Sequence, residues 1–425
     1  MEANNLQANN LETKKKLAAK GQQKIQWAGK KMPVLQDISS RWSKEKPLAG
    51  YRVGACLHIT AKTANLARTL KDGGAEVALC ASNPLTTQDD VAAALNEIYQ
   101  IKTYAQWGED RDSFYGNLHN LLDMHPHVTI DDGADLVTTL HTARPELLST
   151  VLGGSEETTT GVIRVKAMAN ENALKYPVVA VNDALTKHLF DNRYGTGQST
   201  LDGILRATNF LLAGSRFVVV GYGWCGRGVA AKARGMGAKV TVVEVDPVKA
   251  LEATMDGFTV SSMEKAAPSA DFVVTLTGNI NAVNADHLGL LKDGAILCNA
   301  GHFNVEINLE ALAEMSSNVT TVKENIEEYQ LKNGKKAYVI GEGRLVNLVA
   351  GEGHPADVMD MSFANQALAA AWLTKEGRKL ENKVYSLPEH LDKYIASLKL
   401  ASMGVEIDEM TPEQEKYLQT WASGT

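Results

Sequence analysis

The chain lacks several features that would each point to a class of protein. Its 425 residues include four cysteines, Cys56, Cys80, Cys225 and Cys298, and no Cys-x-x-Cys pair. That spacing argues against a zinc ribbon or a thioredoxin-like site and suits small residues on or beside buried strands in a reducing cytoplasm. No apolar run approaches the length of a membrane span, and the opening residues, MEANNLQANNLETKKK, contain no apolar signal core. They are expected to form a polar tail ahead of the first helix. Positive charge is not in excess: the net charge is −7 with no basic stripe, which argues against a general nucleic-acid binder. No proline- or serine-rich linker interrupts the chain, so successive units must follow one another directly.

What is present is an ordinary globular profile, 44% apolar and 22% charged, in a chain longer than one hydrophobic core usually supports. Strand-length apolar runs alternate with helix-period segments. The first series is YRVGACLHI, AEVALCAS, HVTIDD and YPVVAVN, separated by helical stretches such as VAAALNEIYQ and DSFYGNLHNLLDM. Strands apolar on both faces and separated by helices imply a parallel sheet covered on both sides. After a long helical stretch, TKHLFDNRYGTGQSTLDGILRATNFLLAG, a second series runs RFVVVG, KVTVVE, FTVSS, DFVVTLTG and AILCNAG. The expected class is therefore α/β, with two doubly wound parallel-sheet domains joined between Asn182 and Asp191. Beyond about Lys335 the sequence YVIGEGRLVNLVAGEGHP reads as irregular, SFANQALAAAWLTKEG as a helix, and the rest as a small helical C-terminal segment. Within it, Thr411-Pro412-Glu413-Gln414 has the composition of a capped helix start.

The strongest local motif is Gly221-Tyr222-Gly223-Trp224-Cys225-Gly226. It is a G-x-G-x-x-G that follows an apolar strand and opens a helix, and Glu244 ends the next strand close to the ~20-residue offset of a ribose-binding acid. Gly221 permits the turn, Gly223 the approach of backbone to a pyrophosphate, and Gly226 the packing of helix on strand. The helix N-terminus then favours the negative charge. Glu244 would repel a 2′-phosphate, so NAD is expected over NADP.

Ligands of doubly wound sheets sit beyond the carboxyl ends of the strands. Those positions hold His58, Ser82-Asn83, Asp131-Asp132 and Asn182-Asp183, with Lys187, Asp191 and Asn192 on the following helix, then Thr275 to Asn279 and Asn299 to His302. Each has a bland alternative. Asp132 serves equally as a helix cap, Lys187 and Asp191 as a solvated i,i+4 pair, and His302 as a turn residue. The recurrence of polar residues at so many strand ends favours a shared cleft. Gly154-Ser155-Glu156-Glu157-Thr158-Thr159-Thr160-Gly161 reads as a helix start whose three threonines, poor helix formers, suit ligand contacts better than structure.

Taken together, SEETTTG, NDALTKHLFDNRYG, GYGWCGRG, EVDP, NAGHFNVEI and GRLVNLVAGEGHP, with LHITAKTA and DDGADL, closely resemble the signature segments of the S-adenosylhomocysteine hydrolase family. The resemblance implies a cytosolic homotetramer of the methyl cycle that holds NAD tightly. It divides the chain into a substrate-binding domain over 1–185 completed by about 350–380, a Rossmann NAD domain over 186–349, and a helical oligomerisation segment over 381–425. It also implies a chemistry: oxidation of the ribose 3′-OH by NAD, elimination of homocysteine, addition of water and re-reduction. On this resemblance Lys187 takes the 3′-OH proton, its pKa lowered by desolvation. Asp191 and Glu157 hold the ribose hydroxyls and the lysine, Asp132 acts near C4′, and His58 and His302 act near C5′ and the 3′-oxygen. Asn192 positions the nicotinamide, and Thr158, Thr159, Thr160, Glu244, Asn279, Asn299 and Asn347 match NAD contacts. Thr60 and Lys62 belong to the nucleoside site, over which a loop bearing His354 closes.

Two departures stand out. The chain ends in LQTWASGT, without the Lys- and Tyr-rich tail of longer members, so a compact form is expected. Where the family usually has Thr-x-Glu-Thr-Ala after the histidine, this chain has Thr60-Ala61-Lys62-Thr63-Ala64. The usual Glu accepts from the adenine 6-amino group, whereas an ammonium only donates. Either Lys62 faces a 6-keto purine and the substrate is S-inosylhomocysteine, or it points to solvent and backbone atoms read adenine. Outside this reaction, the rival readings are a plain NAD dehydrogenase that releases NADH and a non-catalytic NAD-binding regulator on the same fold.

Overall fold

Runs that are apolar at successive positions form the interiors of two sheets. In the computed structural model, which describes residues 2–421, the first unit contains β1 (Arg52–Leu57), β2 (Glu76–Ala81), β3 (Lys102–Tyr104), β4 (Val128–Asp131), β5 (Gly153–Glu156) and β6 (Val178–Ala180). The second contains β7 (Arg216–Val220), β8 (Lys239–Val243), β9 (Thr259–Val260), β10 (Phe272–Thr275), β11 (Ala295–Asn299), β12 (Ser316–Lys323), β13 (Ile326–Leu331) and β14 (Lys336–Ile340). A last strand, β15 (Val384–Ser386), returns to the first sheet, whose order is β15-β6-β5-β4-β1-β2-β3, parallel throughout. The second sheet runs β12-β13-β14-β11-β10-β7-β8-β9.

Helices bury apolar stripes on both faces of each sheet. Ile38, Trp42, Leu70, Leu95 and Leu373 pack on one side of the first sheet, and Leu118, Leu121, Val137 and Tyr176 on the other. The strand orders locate the ligand clefts. In the first sheet the winding reverses between β1 and β4, and in the second between β7 and β10. The carboxyl ends at these reversals are Leu57-His58 and Asp131-Asp132, then Val220-Gly221 and Thr275-Leu276, where a doubly wound sheet opens a crevice.

The structure departs from the sequence expectations in four places. Residues 2–29 are helix rather than a polar tail. The segment is rich in Glu, Ala, Leu, Gln and Lys, all good helix formers, and Gly21 lets it press on the next layer: a Cβ there would lie 1.8 Å from the Asp90 carbonyl oxygen. Gly153–Glu156 is a central strand, not a helix start; the helix begins only at Thr159, with Thr158 as its cap residue. Lys336–Ile340 is a strand rather than irregular chain, the inner member of an antiparallel meander with β12 and β13. The second sheet is therefore mixed. The C-terminal region supplies β15 as well as the helices Glu389–Ser402 and Pro412–Leu418, and the first of these helices packs Ile395 into the first core. The expected capping box is present, with Thr411 and Gln414 bonding each other's backbone N–H. Among the described residues no helix is long and apolar enough to cross a membrane.

Candidate active site

The two crevices open into one cavity of about 890 Å³. On the second unit's side, the turn after β7 is built for an anionic ligand. Gly221 has φ +104°, a conformation side chains rarely adopt, and a Cβ on Gly226 would lie 2.0 Å from the Gly221 carbonyl oxygen. A Cβ on Gly223 would meet nothing within 4 Å, so the backbone there faces open space just before the helix Trp224–Gly235. Glu244 is fixed by backbone donors: Tyr222 N–H donates to Oε2 at 2.7 Å, and Val245 and Asp246 donate to Oε1 at 2.7 and 3.0 Å. Asn279 and Asn347 also line the cavity, and the buried Oδ1 of Asn347 has no partner. Thr158, Thr159 and Thr160 reach in from the first unit, with Thr160 Oγ1 beside Gly278. These residues fit a dinucleotide. Gly226 and Asn299 do not line the cavity. Asn299 is consumed in holding the following loop, accepting from Gly301 N–H at 2.8 Å and donating to the carbonyls of Gly301, Phe303 and Gly343.

At the meeting of the units lies Lys187, only 5% exposed. Its Nζ is 3.5 Å from Asp191 Oδ1 and 3.6 Å from Glu157 Oε1, and it donates to Asn192 Oδ1 at 2.8 Å and Asn182 Oδ1 at 3.3 Å. The solvated-pair reading therefore fails. So does the expected direction of the lysine's pKa. Burial alone would lower it, but Asp191, Glu157 and Asp132 outweigh burial and hold it above the ordinary lysine range. Burial likewise favours protonation of Asp191, yet Lys187 and His354 keep its carboxyl below the usual range. Glu157 absorbs the imbalance: burial pushes it up to about 8 despite Lys187. A lysine held protonated in this way presents only donors, so it accepts a proton only after passing its own to one of the carboxylates around it.

The side chains that orient this trio lie far off in sequence. Gln366 Nε2 donates to Glu157 Oε2 at 2.5 Å while its Oε1 accepts from Ser155 Oγ at 2.5 Å, so one amide holds the carboxylate from behind. Ser362 donates to Asp191 Oδ2 at 2.7 Å. Glu306 accepts from Thr277 N–H, Thr277 Oγ1 and Gly278 N–H, each at 2.8 Å, shaping the cofactor-side loop. Ser155 and Glu306 fall inside the signature segments SEETTTG and NAGHFNVEI, but no motif picks out Ser362 or Gln366. The available signal is that Ser362, Asn365 and Gln366 interrupt the apolar run 361–373 of the helix Ala356–Glu376, and all three are fully buried.

On the first unit's side, Asp132 lies between two imidazoles, 3.5 Å from His58 Nε2 and 3.7 Å from His302 Nδ1. It is not the helix cap; its neighbour Asp131 accepts from Val137 N–H at 2.8 Å and does that work. Burial pushes the Asp132 carboxyl up and lowers His58 to about 3 and His302 to about 4, so both imidazoles are neutral. Gly133 makes the arrangement possible: its φ is +111°, and a Cβ there would lie 2.3 Å from His302 Nε2.

Lys62 is not on the surface. It occupies the first turn of the helix Ala61–Asp72, capped by Thr60, where a positive charge opposes the helix dipole. It is 8% exposed, lines the cavity, and donates to the Glu352 carbonyl, while Gln88 Nε2 holds the Glu352 carboxylate at 3.2 Å. Burial lowers its pKa to about 8. The anchored loop carries His354, whose Nδ1 is 3.0 Å from Asp191 Oδ1 and whose Nε2 is 3.3 Å from Thr196 Oγ1.

The fold and site together define an NAD-dependent enzyme that encloses cofactor and substrate in a single cleft. Family models agree: S-adenosyl-L-homocysteine hydrolase matches residues 12–151, and its NAD binding domain matches residues 192–353. The chain is 60% identical over 409 residues to an adenosylhomocysteinase of Aquifex aeolicus, covering 96% of this chain and 98% of that one. It is 57% identical over 405 residues to an S-inosyl-L-homocysteine hydrolase of Methanocaldococcus jannaschii, covering 95% and 97%. The chain belongs to the S-adenosyl-L-homocysteine hydrolase family.

Proposed function

We propose that the protein reversibly hydrolyses S-adenosyl-L-homocysteine or S-inosyl-L-homocysteine to the nucleoside and L-homocysteine. The observation that carries this reading is Lys187, enclosed by Asp191 and Glu157 where the dinucleotide turn meets the nucleoside side of the cavity. A dinucleotide held by Gly221, Gly223 and Glu244 would supply reversible hydride chemistry at the ribose 3′ carbon. Lys187 handles the proton of the 3′-hydroxyl, with Asp191 and Glu157 balancing its charge. Asp132 acts near C4′, and His58 and His302 move protons near C5′ and the 3′-oxygen. Thr158, Thr159, Thr160, Asn192, Glu244, Asn279 and Asn347 hold the dinucleotide, and His354 closes over the base. The test is homocysteine release by the NAD-loaded protein from each nucleoside thioether; release from neither removes the proposal. A non-catalytic regulator is not favoured, because the whole set of ionisable groups is present and convergent. A plain dehydrogenase would accumulate NADH.

A second reading concerns the base. Lys62 presents an ammonium to the cavity with one carbonyl as its acceptor, which suits a 6-keto purine and hence S-inosyl-L-homocysteine. The proposed division is residues 1–185 with about 350–380 for substrate and 186–349 for cofactor. Assembly as a homotetramer through residues 381–425 is supported by the exposed apolar side chains Met403, Ile407, Leu418 and Trp421. A cytoplasmic setting is supported by four unpaired cysteines, and a place in the methyl cycle by membership of the family.

A further inference from the structure

Around Asp132, two imidazoles and a carboxylate converge on one part of the cavity wall. Thr86 Oγ1 lies 3.1 Å from the Asn83 carbonyl, to which it can donate, and 2.7 Å from His58 Nδ1, from which it can then accept. Ser82 Oγ lies 3.2 Å from the same nitrogen. In the tautomer that carries its proton on Nδ1, His58 turns the lone pair of Nε2 towards Asp132 Oδ2 at 3.5 Å. An imidazole lone pair and a carboxylate are both acceptors. Opposite them, His302 Nδ1 is 3.7 Å from Asp132 Oδ1, and its buried Nε2 has no partner. One ligand atom from each of the three residues lies within 4.8 Å of the others.

We infer that His58, Asp132 and His302 form a binding site for a divalent transition metal of the Zn²⁺ class, and that the bound ion blocks the nucleoside site. Two imidazoles and one carboxylate suit zinc or cobalt and not magnesium or calcium, which take oxygen ligands. Two tetrahedral ligands about 2.1 Å from zinc lie roughly 3.4 Å apart; His58 Nε2 and His302 Nδ1 stand 3.5 and 3.7 Å from different oxygens of Asp132, and one ligand atom from each residue lies within 4.8 Å of the others, so binding draws the side chains together by up to about 1.4 Å. The Thr86 hydroxyl already holds the far nitrogen of His58, the outer support a metal-bound imidazole requires. The remaining position opens on the cavity, because all three residues line it. Metal binding rests on these side chains alone; the blocking effect also rests on the nucleoside occupying this cleft.

The test is titration of the NAD-loaded protein with Co²⁺, read by the visible bands of four-coordinate cobalt, with Zn²⁺ as competitor. One ion per chain is expected, weakened at least ~10-fold in His302→Gln and in His58→Asn, each checked for fold by circular dichroism and retained NAD. Adenosine or inosine should displace the ion, and Zn²⁺ should inhibit competitively with the nucleoside thioether. Bands that persist unchanged in both histidine variants, or that vanish only in Cys225→Ser, would overturn the site. Metal that binds here without being displaced by nucleoside would overturn the blocking effect while leaving the hydrolase reading untouched.

Discussion

Replacing Lys62 by glutamate should invert the enzyme's choice of purine. The ammonium is buried in the cavity wall and anchored on the Glu352 carbonyl. Towards a 6-keto oxygen it offers a charge-assisted bond of about 1.5–3 kcal/mol. Towards a 6-amino group it sets donor against donor and leaves a buried group unsatisfied, costing about 1–3 kcal/mol. Taking the lower part of each range gives a discrimination of about 3 kcal/mol, roughly 100-fold in kcat/KM. A carboxylate at the same position reverses both terms. The assay is kcat/KM for S-inosyl- and S-adenosyl-L-homocysteine with the wild type, Lys62→Glu and Lys62→Gln; glutamine keeps a donor for Glu352 and separates loop anchoring from base reading. If the ratio of the two substrates moves by less than ~3-fold between lysine and glutamate, the reasoning is wrong.

Other consequences follow from the same geometry. Gln366→Met removes the amide behind Glu157 and should lower kcat by about 10²-fold with little change in KM, while shifting the pH–rate profile; an unchanged profile would mean that Gln366 only packs. Gly133→Ala introduces a Cβ into His302 at a positive φ, so activity should collapse and Tm should fall, whereas alanine at Gly108, a positive-φ position with open space around it, should cost only backbone strain. Lys62 also predicts a pH effect on stability. Its pKa is lowered from 10.5 to about 8 by burial, so its contribution is present above pH 10.5 and lost as pH falls through about 8. Lys62→Met should accordingly be more stable than wild type by up to about 3 kcal/mol below pH 8, with the advantage fading towards pH 10.5; denaturant unfolding at a series of pH values decides it.

The parallel interiors were legible in the sequence because a strand buried on both faces must be apolar at successive positions, as in RFVVV and RVGACL. The dinucleotide turn was legible because its three glycines answer three separate steric demands. Gly153–Glu156 was not: it has no β-branched residue and is a strand because β4 and β6 flank it. The meander did leave a trace in Asn333-Gly334, a hairpin dipeptide with Gly334 at φ +86°. In the site, strand-end polar residues could be found by position, but the Gln366–Glu157 contact joins residues 209 apart in sequence, and no local pattern encodes it. The direction of the Lys187 pKa was also out of reach, since it depends on three carboxylates that only the fold brings together.

The central claim is that the thioether is cleaved by way of transient oxidation at the ribose 3′ carbon, with the cofactor restored in each cycle. Turnover of the nucleoside thioether by the NAD-loaded protein in D₂O measures this directly, by following deuterium at C4′ together with homocysteine and NADH. The account predicts deuterium at C4′ of the nucleoside, homocysteine equal to nucleoside, and no net NADH. Homocysteine released with C4′ unlabelled, or NADH accumulating with product, would contradict it.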